Sequence, residues 1–506
     1  MKLKQAWIER DKWNKDYIIP SYDRDKVKAE TAKAPVWLHF GAGNIFRAFM
    51  AAAMDRLLEK GLSDKGIIVC EDFDKELVHL AYEPFDCLSL LVTLKADGSV
   101  EKRVVGSVTE AVVDEERMKE LFGLASVQMV SFTITEKGYS GPLMGKIARL
   151  CLERYRQGAY PIALVSMDNC AHNGDLLKEA VLKHARELVA EGQADTGFID
   201  YLIDESRVTF PWSMIDKITP RPDEAVKKLL EEEGFEDSRL IITNRGSYTA
   251  AFVNAEETEY LIIEDKFPNG RPKLEAAGIL FTDRQTVDRV EKMKVGTCLN
   301  PLHTALAVFG CLMGYKTIHD EMEDELLRKL VYRLGYKEGM PVVVDPGIIK
   351  PEEFLSDVLT KRLPNPFMPD APQRIATDTS QKLPVRFGQT LKAYTESEGL
   401  DINGLVAIPL VFAGWIRYLT GVNDKGEVFE LSPDPRLEEL CAHLSSVRVG
   451  EPANLSVVDP ILKDRSIFVV DLFECGLADK VKLMLKEMLA GCGAVRRTLE
   501  KYLNGD

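Results

Sequence analysis

The stretch Lys294-Val-Gly-Thr-Cys-Leu-Asn-Pro-Leu-His303 brings an amine, a carboxamide and an imidazole within ten residues. Asn300-Pro301 reads as the opening of a helix, an N-cap residue followed by proline at the first helical position. The apolar run over residues 302–313 continues that helix to Gly314, a C-terminal stop. On this reading Asn300 and His303 stand at the positive end of a helix dipole, with Lys294 one loop away. Such a setting suits a reaction that builds negative charge on an oxygen atom.

A second group of residues could hold a dinucleotide. Val36-Trp-Leu-His-Phe40 is a short apolar strand, followed by Gly41-Ala-Gly43-Asn-Ile-Phe-Arg47 and an apolar helical pattern over residues 48–58. Two glycines between a strand and a helix let the backbone approach a pyrophosphate, whose charge the helix N-terminus attracts. The third glycine of the usual fingerprint is missing, and Phe46 and Arg47 stand there; the competing reading is a tight structural turn. A second strand, residues 66–70, ends in Glu71-Asp72. A carboxylate at that place accepts hydrogen bonds from ribose hydroxyls and repels the extra phosphate of NADP, which favours NAD. The choice between the two carboxylates stays open.

The elements that must position these groups fall into two halves. Strand candidates at 89–94, 129–135 and 162–165 alternate with helical patterns at 116–124, 142–157 and 174–191. This alternation predicts an α/β fold with a Rossmann-type, doubly wound parallel sheet. Candidates at 239–243 and 260–264 extend the first half. Beyond about residue 281 the pattern becomes helical, over 283–293, 301–314, 320–334, 352–362, 387–396, 405–419 and 478–503. The expectation is a dinucleotide-binding domain over 1–285 and a mostly α-helical substrate domain over 286–506.

Bulk composition narrows the classes. A chain of 506 residues with 45% hydrophobic content fits a multidomain globular protein. The longest apolar run, 406–416, is too short to cross a bilayer, and the N-terminus lacks an apolar signal core. A formal charge of −15 argues against a nucleic-acid partner. Nine scattered cysteines with no Cys-x-x-Cys pair read as reduced thiols in a cytoplasmic protein. A metal site built from Cys298, His303 and His172 lacks any zinc spacing, so no metal is expected. Oligomeric state, monomer or homodimer, is open.

With both halves in view, the chain resembles the mannitol dehydrogenase family, the polyol-specific long-chain dehydrogenases/reductases. The resemblance rests on His39-Phe-Gly-Ala-Gly-Asn-Ile-Phe-Arg47, Thr133-Ile-Thr-Glu-Lys-Gly-Tyr139, Ser166-Met-Asp-Asn-Cys-Ala-His-Asn-Gly174 and Phe210-Pro-Trp-Ser-Met-Ile-Asp-Lys-Ile-Thr-Pro220. It continues through the 294–303 stretch, Arg374-x7-Lys382-x-Pro384 and Gly414-Trp-Ile-Arg-Tyr-Leu-Thr-Gly421. The family's catalytic lysine lies in a Lys-x4-Asn-Gly-x-His pattern. Here one residue is added between Lys294 and Asn300, and Pro301 replaces the glycine. Glu291 matches a family glutamate near the lysine's proton path and favours Lys294 over Lys292. Within the family, these features and the length look more like hexuronate reductases than mannitol dehydrogenases.

The resemblance implies metal-free hydride transfer between NAD or NADP and a secondary alcohol or ketone, with NAD the more expected from the acidic pair at 71–72. The expected substrate is a small sugar acid, a hexuronate such as fructuronate reduced to mannonate; tagaturonate or an uncharged polyol is the alternative. Lys294 would be the general acid/base, Asn300 and Asn169 would donate N–H groups to the substrate oxygen, and His303 would bind a hydroxyl or that oxygen. Asn173 is the less favoured carboxamide. Arg374 and Lys382, expected on one loop with Asp378 and Ser380, would contact substrate, with Arg386 a further candidate for the carboxylate. Asp216 and Glu291 would tune or relay protons. Asn44, Phe46, Arg47, Thr135 and Glu136 would join Gly41, Gly43, Glu71 and Asp72 around the cofactor. A nucleotide-binding sensor without turnover is the rival from another class.

Overall fold

A computed structural model describes residues 1–504. The chain divides into two compact units, Met1–Asp288 and Arg289–Asp506, with the boundary inside helix α1 (Arg284–Met293).

The first unit is built on a six-stranded parallel sheet. Numbered along the chain within that sheet, the strands are β1 (Trp37–Phe40), β2 (Ile67–Cys70), β3 (Val108–Val112), β4 (Met129–Phe132), β5 (Ile162–Ser166) and β6 (Val208–Thr209). Their spatial order is β3-β2-β1-β4-β5-β6, the doubly wound order with its switch point beside β1. Burial on both faces explains why these strands are apolar throughout rather than alternating. Ile67 and Val69 face one core cluster while Ile68 and Cys70 face the other, as the two-residue period of a strand requires.

Ser89–Leu94 does not join this sheet, contrary to its placement in the sequence pattern. It pairs antiparallel with Val100–Val105 and parallel with Phe252–Glu256 in a separate four-stranded sheet. Residues 241–242 and 248–249 form a short hairpin, with Ile241 opposite Thr249.

The second unit is helical. Its site-bearing helices are α2 (Asn300–Met313), α3 (Ile318–Glu323), α4 (Pro372–Ile375), α5 (Thr379–Leu383) and α6 (Ala407–Tyr418), followed near the C-terminus by α7 (Ala478–Met488) and α8 (Ala494–Leu503). Two long helices expected from sequence are each broken. Within 320–334, Asp324 leaves the helix and its carboxylate accepts from Leu326 and Leu327 N–H, capping a new one. Within 478–503, Gly491 and Gly493 at positive φ turn the chain between α7 and α8. The helical stretch Arg284–Met313 is long and apolar enough to cross a membrane, but 78% of its apolar window is buried in the protein, as in a core helix.

Helix α6 lacks a capping residue of its own, since Val406 precedes it. Glu338 supplies the cap from a distance: its carboxylate accepts from Val406, Ala407 and Ile408 N–H at 2.8, 2.7 and 2.9 Å. Glu321 on α3 is the opposite case. It is fully buried, and neither carboxylate oxygen has a hydrogen-bond partner among the described residues. Gly310 of α2 makes room for it, because a Cβ there would lie 2.1 Å from Glu321 Oε1. Burial drives the Glu321 carboxyl well above the usual carboxylate range. A raised carboxyl leaves stability intact at pH values below the unfolded-state value, and stability declines as pH rises toward the folded-state value. Glu321→Met should therefore raise the melting temperature, by more at pH 8 than at pH 5, in calorimetric scans at the two pH values. An equal gain at both would contradict this account.

Candidate active site

At the end of β1 the chain turns through Gly41 at φ +110°. A Cβ on Gly41 would lie 2.7 Å from Thr133 Oγ1 and 2.8 Å from its carbonyl oxygen, so glycine is required there. Gly43 faces open space, with no atom within 4 Å of where a Cβ would stand. The turn borders a cavity of about 640 Å³, also lined by Asp72, Phe73, Thr135, Lys137, Arg245 and others. Behind it, His39 is fully buried between Ser131 Oγ (2.6 Å) and Thr133 Oγ1 (3.0 Å), and burial pushes its imidazole down to about 3. It stays neutral and serves as a hydrogen-bonding wedge.

The two acidic residues after β2 have different tasks. Glu71 is buried, and its carboxylate accepts from three backbone N–H groups: Ala42 at 2.8 Å, Phe73 at 2.8 Å and Asp74 at 3.0 Å. Burial raises its carboxyl above the usual range while those donors pull the other way. It ties the glycine turn to the loop after β2. Asp72 keeps a partly exposed carboxylate on the cavity and pairs with Lys146. Phe46 and Arg47 lie beneath the turn. Phe46 stacks on His39 at 4.2 Å, and Arg47 donates to Ala250 O and to Asn44 Oδ1. Asn44 in turn donates to Tyr248 O, so the pair fastens the hairpin 241–249 to the turn. Thr135 lines the cavity, and Glu136 opens the short helical turn that follows it.

After β5 the loop carrying Asn169 is shaped by Asp168, which accepts from Ser166 Oγ at 2.7 Å and Cys170 N–H at 2.9 Å. Asn169 is exposed on that loop. Asn173 is fully buried and committed to Ser213, donating to its Oγ and accepting from its N–H. Asp216, at the end of strand Ser213–Asp216, is buried as well.

In the second unit the lysine region differs from the expected loop. Residues Lys294–Cys298 form a π-helical turn continuous with α1, closed by Leu299 N–H to Lys294 O at 3.1 Å. A π turn holds one residue more than an α turn, which absorbs the residue added between Lys294 and Asn300. The N-cap of α2 is Leu299 rather than Asn300, and Pro301 sits second in the helix. Lys294 is 8% exposed whereas Lys292 is exposed, and Glu291 lies one turn from Lys294. One turn further along α2, His303 Nε2 lies 3.5 Å from Asp370 Oδ2. Burial alone would raise the Asp370 carboxyl, but His303 and Arg374 outweigh it and hold it below the usual range.

The three cations expected at the substrate are not equivalent, and the first two sit on helices rather than one loop. Arg374 lies in the last turn of α4 and pairs with Asp370. Lys382 lies on α5, and its ammonium donates to Ile375 O (3.0 Å) and Thr377 O, capping α4. Burial, then the neighbouring Arg386, lowers its value. Arg386 donates to Thr304 Oγ1 and to Asn300 O (3.5 Å), and no carboxylate pairs with it among the described residues. Burial alone brings it down to about 10.

A doubly wound sheet with an open glycine turn at its switch point and an acid at the end of β2 defines a dinucleotide-binding protein. The chain belongs to the mannitol dehydrogenase family, a family of oxidoreductases. Residues 36–276 match the mannitol dehydrogenase Rossmann domain, and residues 286–489 match the mannitol dehydrogenase C-terminal domain. The chain is 50% identical to a D-mannonate oxidoreductase of Thermotoga maritima, over 99% of both chains. It is 29% identical to a mannitol 2-dehydrogenase of Neosartorya fischeri, over 96% of this chain and 95% of that one. Among solved structures, substrate-free D-sorbitol dehydrogenase superposes with a TM-score of 0.77 at 24% identity, covering 97% of this chain and 99% of that one. Pseudomonas fluorescens mannitol 2-dehydrogenase with NAD and D-mannitol superposes with a TM-score of 0.70 at 24% identity over the whole of both chains. These two establish likeness of fold.

Sequence reasoning missed Asp370, Thr133 and Phe73. Phe73 had a signal, standing directly after the acidic pair; Asp370 had none, because its link to His303 is tertiary. Glu71→Ala should cost about 2–4 kcal/mol of stability by stranding three backbone donors and weaken NADH binding by at least about tenfold, read by thermal unfolding and fluorescence titration. Unchanged NADH affinity would separate Glu71 from the shape of the turn.

Proposed function

We propose that this protein is an NAD-dependent reductase that interconverts D-fructuronate and D-mannonate. The observation that carries a carboxylated substrate is Arg386. A half-buried guanidinium beside α2, without an acidic partner among the described residues, is matched by an anion that supplies two charge-assisted hydrogen bonds. The D-mannonate oxidoreductase relative supports the same reading. Arg374 is already engaged with Asp370, and Lys382 with carbonyl groups, so they order the sugar-acid site around Arg386.

The cavity beside Gly41 and Gly43 fits a dinucleotide: Gly43 admits a pyrophosphate, and Asp72 offers the ribose a carboxylate and disfavours a 2′-phosphate. Bound there, the nicotinamide supplies or accepts the hydride. Lys294 gives its proton to the ketone oxygen in reduction and takes the hydroxyl proton in oxidation. Asn300 and Asn169 donate N–H groups to that oxygen, stabilising the charge that develops on it. Asp370 fixes the ring of His303 through Nε2, leaving Nδ1 for a substrate hydroxyl. Glu291, one helical turn from Lys294, and Asp216 serve the proton's passage. All nine cysteines are free thiols, in keeping with a reducing cytoplasm.

Lys294→Ala should lower turnover by at least about a hundredfold, within the range of general acid catalysis, while NADH binding persists; near-normal turnover across pH would exclude the lysine. Fructuronate, tagaturonate and fructose compared as NADH oxidants identify the substrate, and no oxidation with any of them would favour a sensor. Arg386→Ala should raise KM for fructuronate by at least about tenfold, the worth of one charge-assisted bond. An unchanged KM would remove the carboxylate from Arg386.

A further inference from the structure

The cofactor cavity has one wall that neither the glycine turn nor the acidic pair explains. Phe73 follows Asp72 directly and leaves 69% of its surface exposed, uncommon for a phenylalanine. The guanidinium of Arg245 lies 5.0 Å over the centre of its ring. Both residues line the cavity that holds Gly41, Gly43 and Asp72. Arg245 is exposed at the tip of the hairpin 241–249, where Gly246 at φ +82° closes the turn.

This hairpin is fastened at both ends. Buried Asp74 accepts from Thr243 Oγ1 (2.6 Å) and Ser247 Oγ (2.5 Å), and Glu76 accepts from Asn244 N–H (2.7 Å). Asn44 and Arg47, just after the glycine turn, bond Tyr248 O and Thr249 Oγ1. The tip is therefore held in register with the loop that carries Phe73. Tertiary bonds of this number around a three-residue tip indicate a fixed platform.

We propose that Phe73 and Arg245 form the adenine subsite of the cofactor cavity, binding the purine face by stacking; this rests on the dinucleotide reading of that cavity. The set of residues that share the cavity supports it. With the pyrophosphate at Gly43 and the ribose hydroxyls at Asp72, the base beyond the ribose falls to the side chain that follows Asp72, Phe73. A planar guanidinium and an aromatic ring both stack on a purine without requiring a sequence of hydrogen bonds. Lys146 is paired with Asp72 and Glu115, and Lys137, the other lysine near the cavity, has no planar face, so Arg245 is the lining cation able to stack. Asp72 beside the ribose disfavours the alternative, in which Arg245 reads a 2′-phosphate.

The test measures NADH and NADPH dissociation constants by fluorescence for Phe73→Ala, Arg245→Ala, Arg245→Lys and Gly43→Asp. Phe73→Ala and Arg245→Ala should each weaken NADH by about tenfold, the typical loss of one stacking partner, with an unchanged melting temperature. Arg245→Lys should recover little of the loss, because lysine keeps the charge and loses the plane. Full recovery with lysine, or a loss for NADPH much larger than for NADH, would show Arg245 to be a phosphate reader and overturn the proposal. If Gly43→Asp weakens NADH while the two alanine variants do not, the adenine subsite fails alone. If none of the variants changes NADH affinity, the cavity reading itself fails with it.

Discussion

The cofactor end of the molecule hangs on one carboxylate. Glu71 gathers the N–H groups of Ala42, Phe73 and Asp74, so a single buried side chain sets the glycine turn after β1 and the loop after β2 at the same time. Those donors would otherwise be stranded, because turns at the end of a parallel sheet have no strand to bond. Everything nearby follows from this tie: Gly43 stays open, Asp72 reaches the cavity, and Asp74 is held where it can fasten the hairpin. The second unit uses the same device when Glu338 gathers three N–H groups at the start of α6. In both cases an apolar element without its own polar cap borrows one from a distant part of the chain.

The fold was readable wherever periodicity is local. The apolar strands β1, β2, β4 and β5 and the long helices declare themselves through spacing and length, and the order 3-2-1-4-5-6 is the common outcome of strand–helix alternation. Ser89–Leu94 misled because its composition matches a sheet strand, and only pairing with Val100–Val105 reveals another sheet. Breaks at Asp324 and at Gly491–Gly493 were signalled by capping and flexible residues that an unbroken apolar rhythm obscured.

The site was legible in part for the same reason. Lys294, Asn300 and His303 lie close in sequence, and so they stand out together. The π turn that carries Lys294 is not visible in composition; it shows only as an awkward count of residues between the amine and the carboxamide. Asp370 lies 3.5 Å from His303 yet far from it along the chain, and nothing in either neighbourhood announces the pair. The two carboxylates after β2 look alike as letters. Burial and three backbone donors make Glu71 a structural member, while exposure leaves Asp72 facing the cavity.

Arg386 gives the second unit an unusual economy. Holding a cation in a partly desolvated place without an acid beside it among the described residues weakens the resting fold, since desolvation is not returned by an internal ion pair. An anion that binds there returns it, and by mass action the loaded protein becomes the more stable one. Stability and anion binding are thus coupled at this arginine: whatever anion fills the place also steadies the fold around it.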